Sequence, residues 1–404
     1  MTTSTATPVA VPYSGPLPRV RPLAITGHGV VSPAGIGLDA LAEALRGTRE
    51  PCADPAQLPL GPAEADGLPD SLRVVPEFRL ADHVGRKGTR HLDRTTGLGL
   101  AACALLRSAA GTADDDPSWS STGVVLGSTS GSVRSGSEFA RDTHVHDRPF
   151  LVDAARFPNT VMNSCTGQIA IWNGLHGINA TLSGGTTAAL AAFRYARNAL
   201  DRGHAKRLLV GGVEELSPQT AWGWAASGAL TQGFPTGEGC ALFAVRDAEA
   251  ARRDGTPVLA ELLASETAFA PEGTRPGVAG VLAACVTRAL ERGGIDPSEV
   301  GAVSLGATGL VGLEGAERRS VRRALGGRSV TEIRVKDITG EAYSADGAFQ
   351  LAAVLADPVP GRISLVTGVG QDGHVACLVV RTGTGPGTGP GTGPGTGPGT
   401  GGRS

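Results

Sequence analysis

Thr186 stands where a strand, a glycine turn and a helix meet. Residues 179–203 read NATLSGGTTAALAAFRYARNALDRG: a short apolar run, then SGGTT, then a helical pattern that stops at a glycine. A helix N-terminus carries a partial positive charge, so a side chain there is placed to hold a developing anion. An aliphatic hydroxyl stays protonated unless a base sits beside it, and Thr186 therefore needs a partner to act as a nucleophile. Neither LSGGT nor GSTSG fits the G-x-S-x-G nucleophile elbow, because the serine is out of place in both. His144 and His146 could put two imidazoles on one strand face, but no third ligand cluster accompanies them, and an exposed polar loop is the expectation. The run from Gly27, GHGVVSP, has Ser32 at the third glycine position of a dinucleotide fingerprint and a proline after it. It is read as a structural turn. No metal or cofactor is expected.

The elements around these residues alternate strand and helix. The segment PLAIT at 22–26 reads as a strand, TGVVLGST (122–129) as a buried strand and RLLVGGVEE (207–215) as another, with a helical pattern from His91 to Ala109. Residues 48–76 read as a surface excursion and 132–158 as a polar loop. From Pro257 the grammar repeats: VLAELLAS, a helix across GVAGVLAACVTRALERGG, the strand AVSLGATG, a helix at GLEGAERRSVRRALGG, then SLVTGVG. This alternation predicts an α/β class with a mainly parallel sheet. The expected organisation is a flexible arm over 1–21, one half over 22–256, a similar second half over 257–381, and a Gly/Thr/Pro tail over 382–404 that cannot pack.

The 404 residues carry a net charge of −2, and 41% are hydrophobic. That balance gives no polyanion-seeking surface, and nucleic acid is not an expected partner. No apolar stretch approaches the roughly 18 residues a membrane span needs. Six scattered cysteines without a C-x-x-C pair, and no secretory leader, predict reduced thiols in a cytoplasmic protein. Lysine occurs only at positions 87, 206 and 336; with the abundant Ala, Gly and Pro, this Arg-for-Lys usage points to a GC-rich bacterial genome.

PNTVMNSCTGQIAIWNGLHGINATLSGG, followed by a helix and LLVGGVEE, resembles the central segment of the β-ketoacyl synthases of the thiolase superfamily. The resemblance extends from ITGHGVVSPAGIGLDALAEALRG through GEGCALFAVRDAEAARRDG to GVGQDGHVACLVV, roughly residues 22–380. It implies a five-layered α-β-α-β-α sandwich of two fused similar halves. In that family a cysteine at the helix mouth accepts the acyl chain as a thiolate. Here the cysteine position is Thr186. The first catalytic histidine opens an H-G-T-x-T motif, and the matching residue in GATGL is Gly306. The second follows K-S-M-T-G; Lys336 to Gly340 keep that outline, but the next residue is Glu341. The phenylalanine of the C-terminal G-F-G-G-T-N loop is Gln371.

Loss of the cysteine and both histidines together implies that condensation no longer occurs. A relative that only decarboxylates keeps its histidines, so that role is disfavoured as well. The chain length factors, inactive partners of type II polyketide ketosynthases, typically read T-G-R-L-Y-S-G-G where this chain has TGEAYSADG from Thr339. They usually carry glutamine at Thr186 and arginine at Glu341. The resemblance thus implies a non-catalytic subunit in a heterodimer with an active β-ketoacyl synthase, shaping its acyl tunnel and meeting acyl carrier protein mainly through that partner. The dimer face would involve 128–141 and 156–172, with Cys165 as an interface packing residue. Thr186 would cap its helix by accepting from a backbone N–H, and Glu341 would pair with Lys336. The alternative is an acyltransferase of changed chemistry in which Glu341 activates Thr186 or an acceptor. A third reading is a homodimeric binding protein. The arginine run at 318, 319, 322 and 323 is expected to be a solvated helix face, with docking of an acidic carrier protein as its alternative.

Overall fold

The computed structural model describes residues 17–60, 64, 68–109, 117–271 and 273–383. Most of the arm expected over 1–21, and all of the tail beyond Gly383, lie outside the described residues. In chain order the main strands are β1 (Leu23–Ser32), β2 (Gly123–Gly127), β3 (Asn179–Leu182), β4 (Arg207–Glu214) and β5 (Gly239–Asp247). A second set follows: β6 (Ala260–Phe269), β7 (Val300–Leu305), β8 (Thr331–Glu332), β9 (Ile363–Val369) and β10 (His374–Thr382). They form one hydrogen-bonded path, β8-β7-β9-β10-β6-β1-β5-β4-β2-β3. Both sets place their third, second, fourth, fifth and first strands side by side. In both, the first three of that order are parallel and the last two antiparallel to their neighbours. The sets meet where Leu23, Ala24 and Ile25 pair with Leu262, Glu261 and Ala260.

Among the described residues, the helices of ten residues or more are α1 (Arg94–Ala109), α2 (Val133–Val145), α3 (Ser164–Asn173), α4 (Ala188–Asp201), α5 (Pro218–Ser227), α6 (Arg275–Gly293), α7 (Glu314–Ala324) and α8 (Asp346–Ala356). Helices α1 and α3 cover one face of the first strand set, and α6 and α7 the outer face of the second. Between the two sets lie α4 and α8. The result is the five-layered α-β-α-β-α arrangement. Helix α8 (DGAFQLAAVLA) has every residue buried, which explains its lack of a polar stripe.

Three local expectations need correction. GHGVVS is not a turn but the second half of β1, which runs through a register shift between Ile25 and Gly27. The glycines serve close packing: a Cβ on Gly29 would collide with the carbonyl of Ala102 in α1. Residues 132–158 are not all loop, since α2 occupies 133–145. Ser132 caps it by accepting from Ser135 N at 3.1 Å, and Glu138 draws in Arg134 at 2.8 Å and Arg156 at 2.7 Å. No side chain of α2 is buried, so it had no apolar stripe to betray it. His144 lies in its last turn and His146 at its C-cap, both on the outside of the fold. The excursion at 48–76 is anchored as well. Leu58, Leu72 and Val74 bury against Leu216 and Ala221, and Leu72–Arg73 pairs with the short strand Thr236–Gly237.

That short strand also bridges from Thr236 to Glu341, and Gly237 N donates to Glu341 O at 2.9 Å. A Cβ on Gly237 would collide with the carbonyl of Thr339. Gly237→Ala is therefore expected to lower unfolding free energy by about 3 kcal/mol, as for other overpacked sites. A urea titration checks this, and an unchanged midpoint would refute it.

Candidate functional site

The loop from β3 to α4 carries Thr186 in a single 3₁₀ turn, Gly185–Thr187. Gly185 has φ +55°, and a Cβ there would lie 3.3 Å from the Tyr343 ring, so the turn needs glycine. Thr129 holds it, its hydroxyl oxygen accepting from Gly185 N at 3.0 Å. Thr186 is buried, and its hydroxyl donates to the Val369 carbonyl at the end of β9, 2.9 Å away. The expected helix cap is therefore absent. Thr187 is the N-cap of α4, and its hydroxyl donates to Gly184 O at 2.8 Å. Thr186 instead ties the helix mouth to the second strand set.

Gly306 follows β7. Its N–H donates to Glu317 Oε1 at 3.1 Å, its carbonyl accepts from Lys336 Nζ at 2.8 Å, and a Cβ on it would lie 2.6 Å from Thr367 O. The position has no room for a side chain. Lys336, itself buried, lies 2.5 Å from Glu341 Oε2 and 2.8 Å from Asp346 Oδ2. Burial opposes its charge, but Asp346 and Glu341 outweigh burial and raise its pKa. Burial and the neighbouring Glu341 carboxylate push Asp346 well above the usual carboxylate range, against the pull of Lys336. Glu341 Oε1 accepts from Tyr343 N at 3.1 Å. Both oxygens of Glu341 are thus engaged, and neither is bonded to Thr186.

Thr186, Glu341 and Gln371 line a common cavity of about 530 Å³, together with Glu214, Tyr343 and Trp224. Gly306 and Lys336 sit behind its wall. Tyr343 has φ +44°, unusual for a bulky residue, and meets the Trp224 ring edge-on at 5.4 Å. Burial pushes Glu214 up to about 8, opposed by the hydroxyl and amide of Ser344, so it is largely a neutral acid at pH 7. Among the described residues, no cysteine and no histidine lines the cavity. Cys165 is buried inside its own chain, where its thiol donates to Thr95 O at 3.5 Å. It packs under α1 rather than at a subunit face, which corrects that expectation.

Asp346 and Glu214 are absent from the sequence reading. Asp346 was detectable as the one acid opening an otherwise apolar helix, whereas nothing in RLLVGGVEE separates Glu214 from Glu215 before the strands assemble.

The arrangement matches a known family in both halves. The family described as Beta-ketoacyl synthase, N-terminal domain, matches residues 20–261, and Beta-ketoacyl synthase, C-terminal domain, matches 259–357. The chain belongs to the β-ketoacyl synthase family. A Vibrio harveyi 3-oxoacyl-[acyl-carrier-protein] synthase 2 is 24% identical over 358 residues, 82% of this chain and 84% of that protein. A Streptomyces coelicolor protein named as the actinorhodin polyketide β-ketoacyl synthase 2 is 28% identical over 377 residues, 85% of this chain and 88% of that one. Among solved structures, the ishigamide ketosynthase/chain length factor is 35% identical with a TM-score of 0.75, covering 90% of this chain and 99% of that chain. Among the described residues, no helix is long and apolar enough to cross a membrane.

Two outcomes test the buried charges. Lys336→Met should cost about 3–5 kcal/mol by leaving two buried carboxyl groups without their cation. Adding Glu341→Gln and Asp346→Asn should restore part of that loss, and equal stability of the single and triple variants would refute the account. For Glu214 the folded value, about 8, lies above the ordinary 4.5. The folded chain therefore keeps a proton that the unfolded chain has lost, and stability falls as pH rises through that window. Glu214→Gln should exceed the parent at pH 8 by at least about 1.4 kcal/mol, with the gap closing toward pH 4.5. Parallel pH profiles of the two proteins would contradict it.

Proposed function

We propose that this chain is a non-catalytic, chain-length-factor-like subunit that pairs with an active β-ketoacyl synthase in type II polyketide or fatty-acid-like biosynthesis. One observation carries the reading: a cavity lined, among the described residues, by neither thiol nor imidazole, in which the Thr186 hydroxyl and the Glu341 carboxylate are committed to a backbone carbonyl and a buried lysine. A condensing enzyme needs a nucleophile that can become an anion and donors for its decarboxylating partner. Thr186 has a carbonyl beside it, which cannot take its proton, and Glu341 is neutralised by Lys336. The space that an imidazole at position 306 would need is filled by the Thr367 carbonyl. The names of the ishigamide and actinorhodin relatives fit a polyketide setting, and the chemistry would run in the cytoplasm.

The surface supports pairing. Phe150, Leu151, Phe157, Val161 and Ile171 are exposed large apolar side chains between α2 and the end of α3. Helix α3, which carries Ile171, is bonded through Thr166 to Asn179 and Thr181 of β3, the strand that ends the sheet path and pairs only with β2 among the described residues. An exposed apolar patch beside an open strand edge is a surface made to be covered. It includes the 156–172 segment, and in the complex it would close the end of the partner's acyl tunnel, with acyl carrier protein engaging mainly the partner.

Co-expression with cysteine-bearing ketosynthases of the same genome, tagging this chain alone, tests the proposal. The expected result is co-purification in equal amounts, with only the partner gaining acyl mass from an acylated carrier protein. Phe157→Asp combined with Ile171→Asp should abolish co-purification while this chain stays folded. Acyl mass on Thr186 of this chain alone, or a stable self-dimer that ignores the ketosynthase, would overturn it.

A further inference from the structure

Helix α7 has two faces of opposite character. Inward, Glu317 is fully buried and accepts from Gly306 N, from Ala307 N at 2.7 Å and from the Thr367 hydroxyl at 2.7 Å. Outward, it carries Arg318, Arg319, Arg322 and Arg323, and Arg328 follows in the next loop. In a chain of net charge −2 this is a local excess of positive charge. Arg318 is neutralised, its Nε and Nη2 donating to Glu332 at 2.7 and 2.9 Å. Among the described residues, Arg319, Arg322 and Arg323 make no ion pair with a carboxylate, and Arg328 lies within electrostatic reach of the exposed Asp296.

Arg318, Arg319, Arg322 and Arg328, but not Arg323, line a cavity of about 340 Å³ between α7, the loop after it and β8. Its apolar lining is Val303, Leu305, Val321, Leu325 and Val330, and its charged lining is Arg318, Arg319, Arg322 and Arg328 with one carboxylate, Glu332, which Arg318 neutralises. Two of the lining arginines are held in place through a single nitrogen. Arg322 Nε donates to Gly327 O and Arg328 Nη1 to Pro297 O, each at 2.9 Å. Bonds to carbonyls fix direction without cancelling charge, so the other N–H groups remain to be used. Arg319 folds back over Gly315, where a Cβ would come within 3.2 Å of its Nη1. Gly315 itself lines the cavity.

We propose that this cavity binds a small organic diphosphate, its phosphates held by Arg319, Arg322 and Arg328 and its organic body resting on the apolar lining. Guanidinium forks match phosphate oxygens two at a time, and three unneutralised cations suit the charge of a diphosphate better than that of one carboxylate. The volume falls in the range of small-molecule pockets, roughly 300–1,000 Å³. A concave site with an apolar lining favours such a ligand over a flat protein surface. The site is separate from the cavity at Thr186 and does not depend on the reading of that one.

The test is isothermal titration of the full chain at about 150 mM salt, where weak surface attraction is screened. The probes are ADP, inorganic pyrophosphate and a hexaglutamate peptide. ADP should bind at least about tenfold tighter than pyrophosphate, because only ADP uses the apolar lining. Arg319→Ala combined with Arg322→Ala should weaken ADP at least about tenfold, by loss of charge-assisted hydrogen bonds. Gly315→Leu retains all the arginines in number and favours the helix, yet fills the cavity and presses on Arg319, and should weaken ADP to a similar degree. Arg148→Ala, elsewhere on the surface, should leave ADP binding unchanged. No ADP binding, ADP no tighter than pyrophosphate, undiminished binding to Gly315→Leu, or hexaglutamate binding tighter than ADP would each overturn the proposal, the last in favour of protein docking.

Discussion

The ammonium of Lys336 sits with almost no solvent exposure at the junction of three segments, and it has to be satisfied there. It reaches Gly306 O after β7, Glu341 in the following loop and Asp346 in the first turn of the central helix α8. A buried charge left alone costs several kcal/mol, so these three segments can come together only in the geometry that surrounds the lysine. Through Glu341 the same constraint reaches the short strand Thr236–Gly237, which in turn anchors the excursion before α1. One cation thus fixes how the loops behind the cavity are arranged.

The cavity in front of that wall is lined by polar groups that bond within the chain. Thr186 fastens the mouth of α4 to β9, and Glu317 holds the amides of Gly306 and Ala307 from behind. Glu317 and Glu215 are both pushed up to about 7, and Glu214 to about 8, in each case chiefly by burial. Buried acids with raised pKa values are tolerated because backbone amides and hydroxyls satisfy their oxygens. In the proposed function these groups preserve the architecture that a partner enzyme reads, with the site's former chemistry replaced by internal bonding.

Helix α7 joins the two regions of interest. Its inner face is tied to the loop at Gly306, and its outer face forms the arginine-lined cavity. This helix shows one face to the core and another to solvent, so a single element can serve both without either disturbing the other.

Much of this was legible in the residues. The alternation of buried strands and helices specified the fold class, and the motifs around Thr186 and Glu341 pointed to residues that line one cavity, because strand burial and helix periodicity are local properties. The Lys336–Glu341 pair was also within reach, five residues apart on one short segment. Helix α2 was not: it is held by Ser132, by Glu138 and by Arg156 from a later segment, and it lacks the apolar stripe on which a periodic signal depends. Nor was the course of β1 through its glycines, which only the approach of Ala102 explains. Asp346 on Lys336, Thr186 on Val369 and the environment of Glu214 involve partners 10, 183 and 130 residues apart. The sequence by itself therefore determined the element types and which residues stand at the site. Apart from the Lys336–Glu341 pair, the tertiary structure alone decided what each group bonds to, because burial and long-range hydrogen-bond partners arise only when distant segments close on one another.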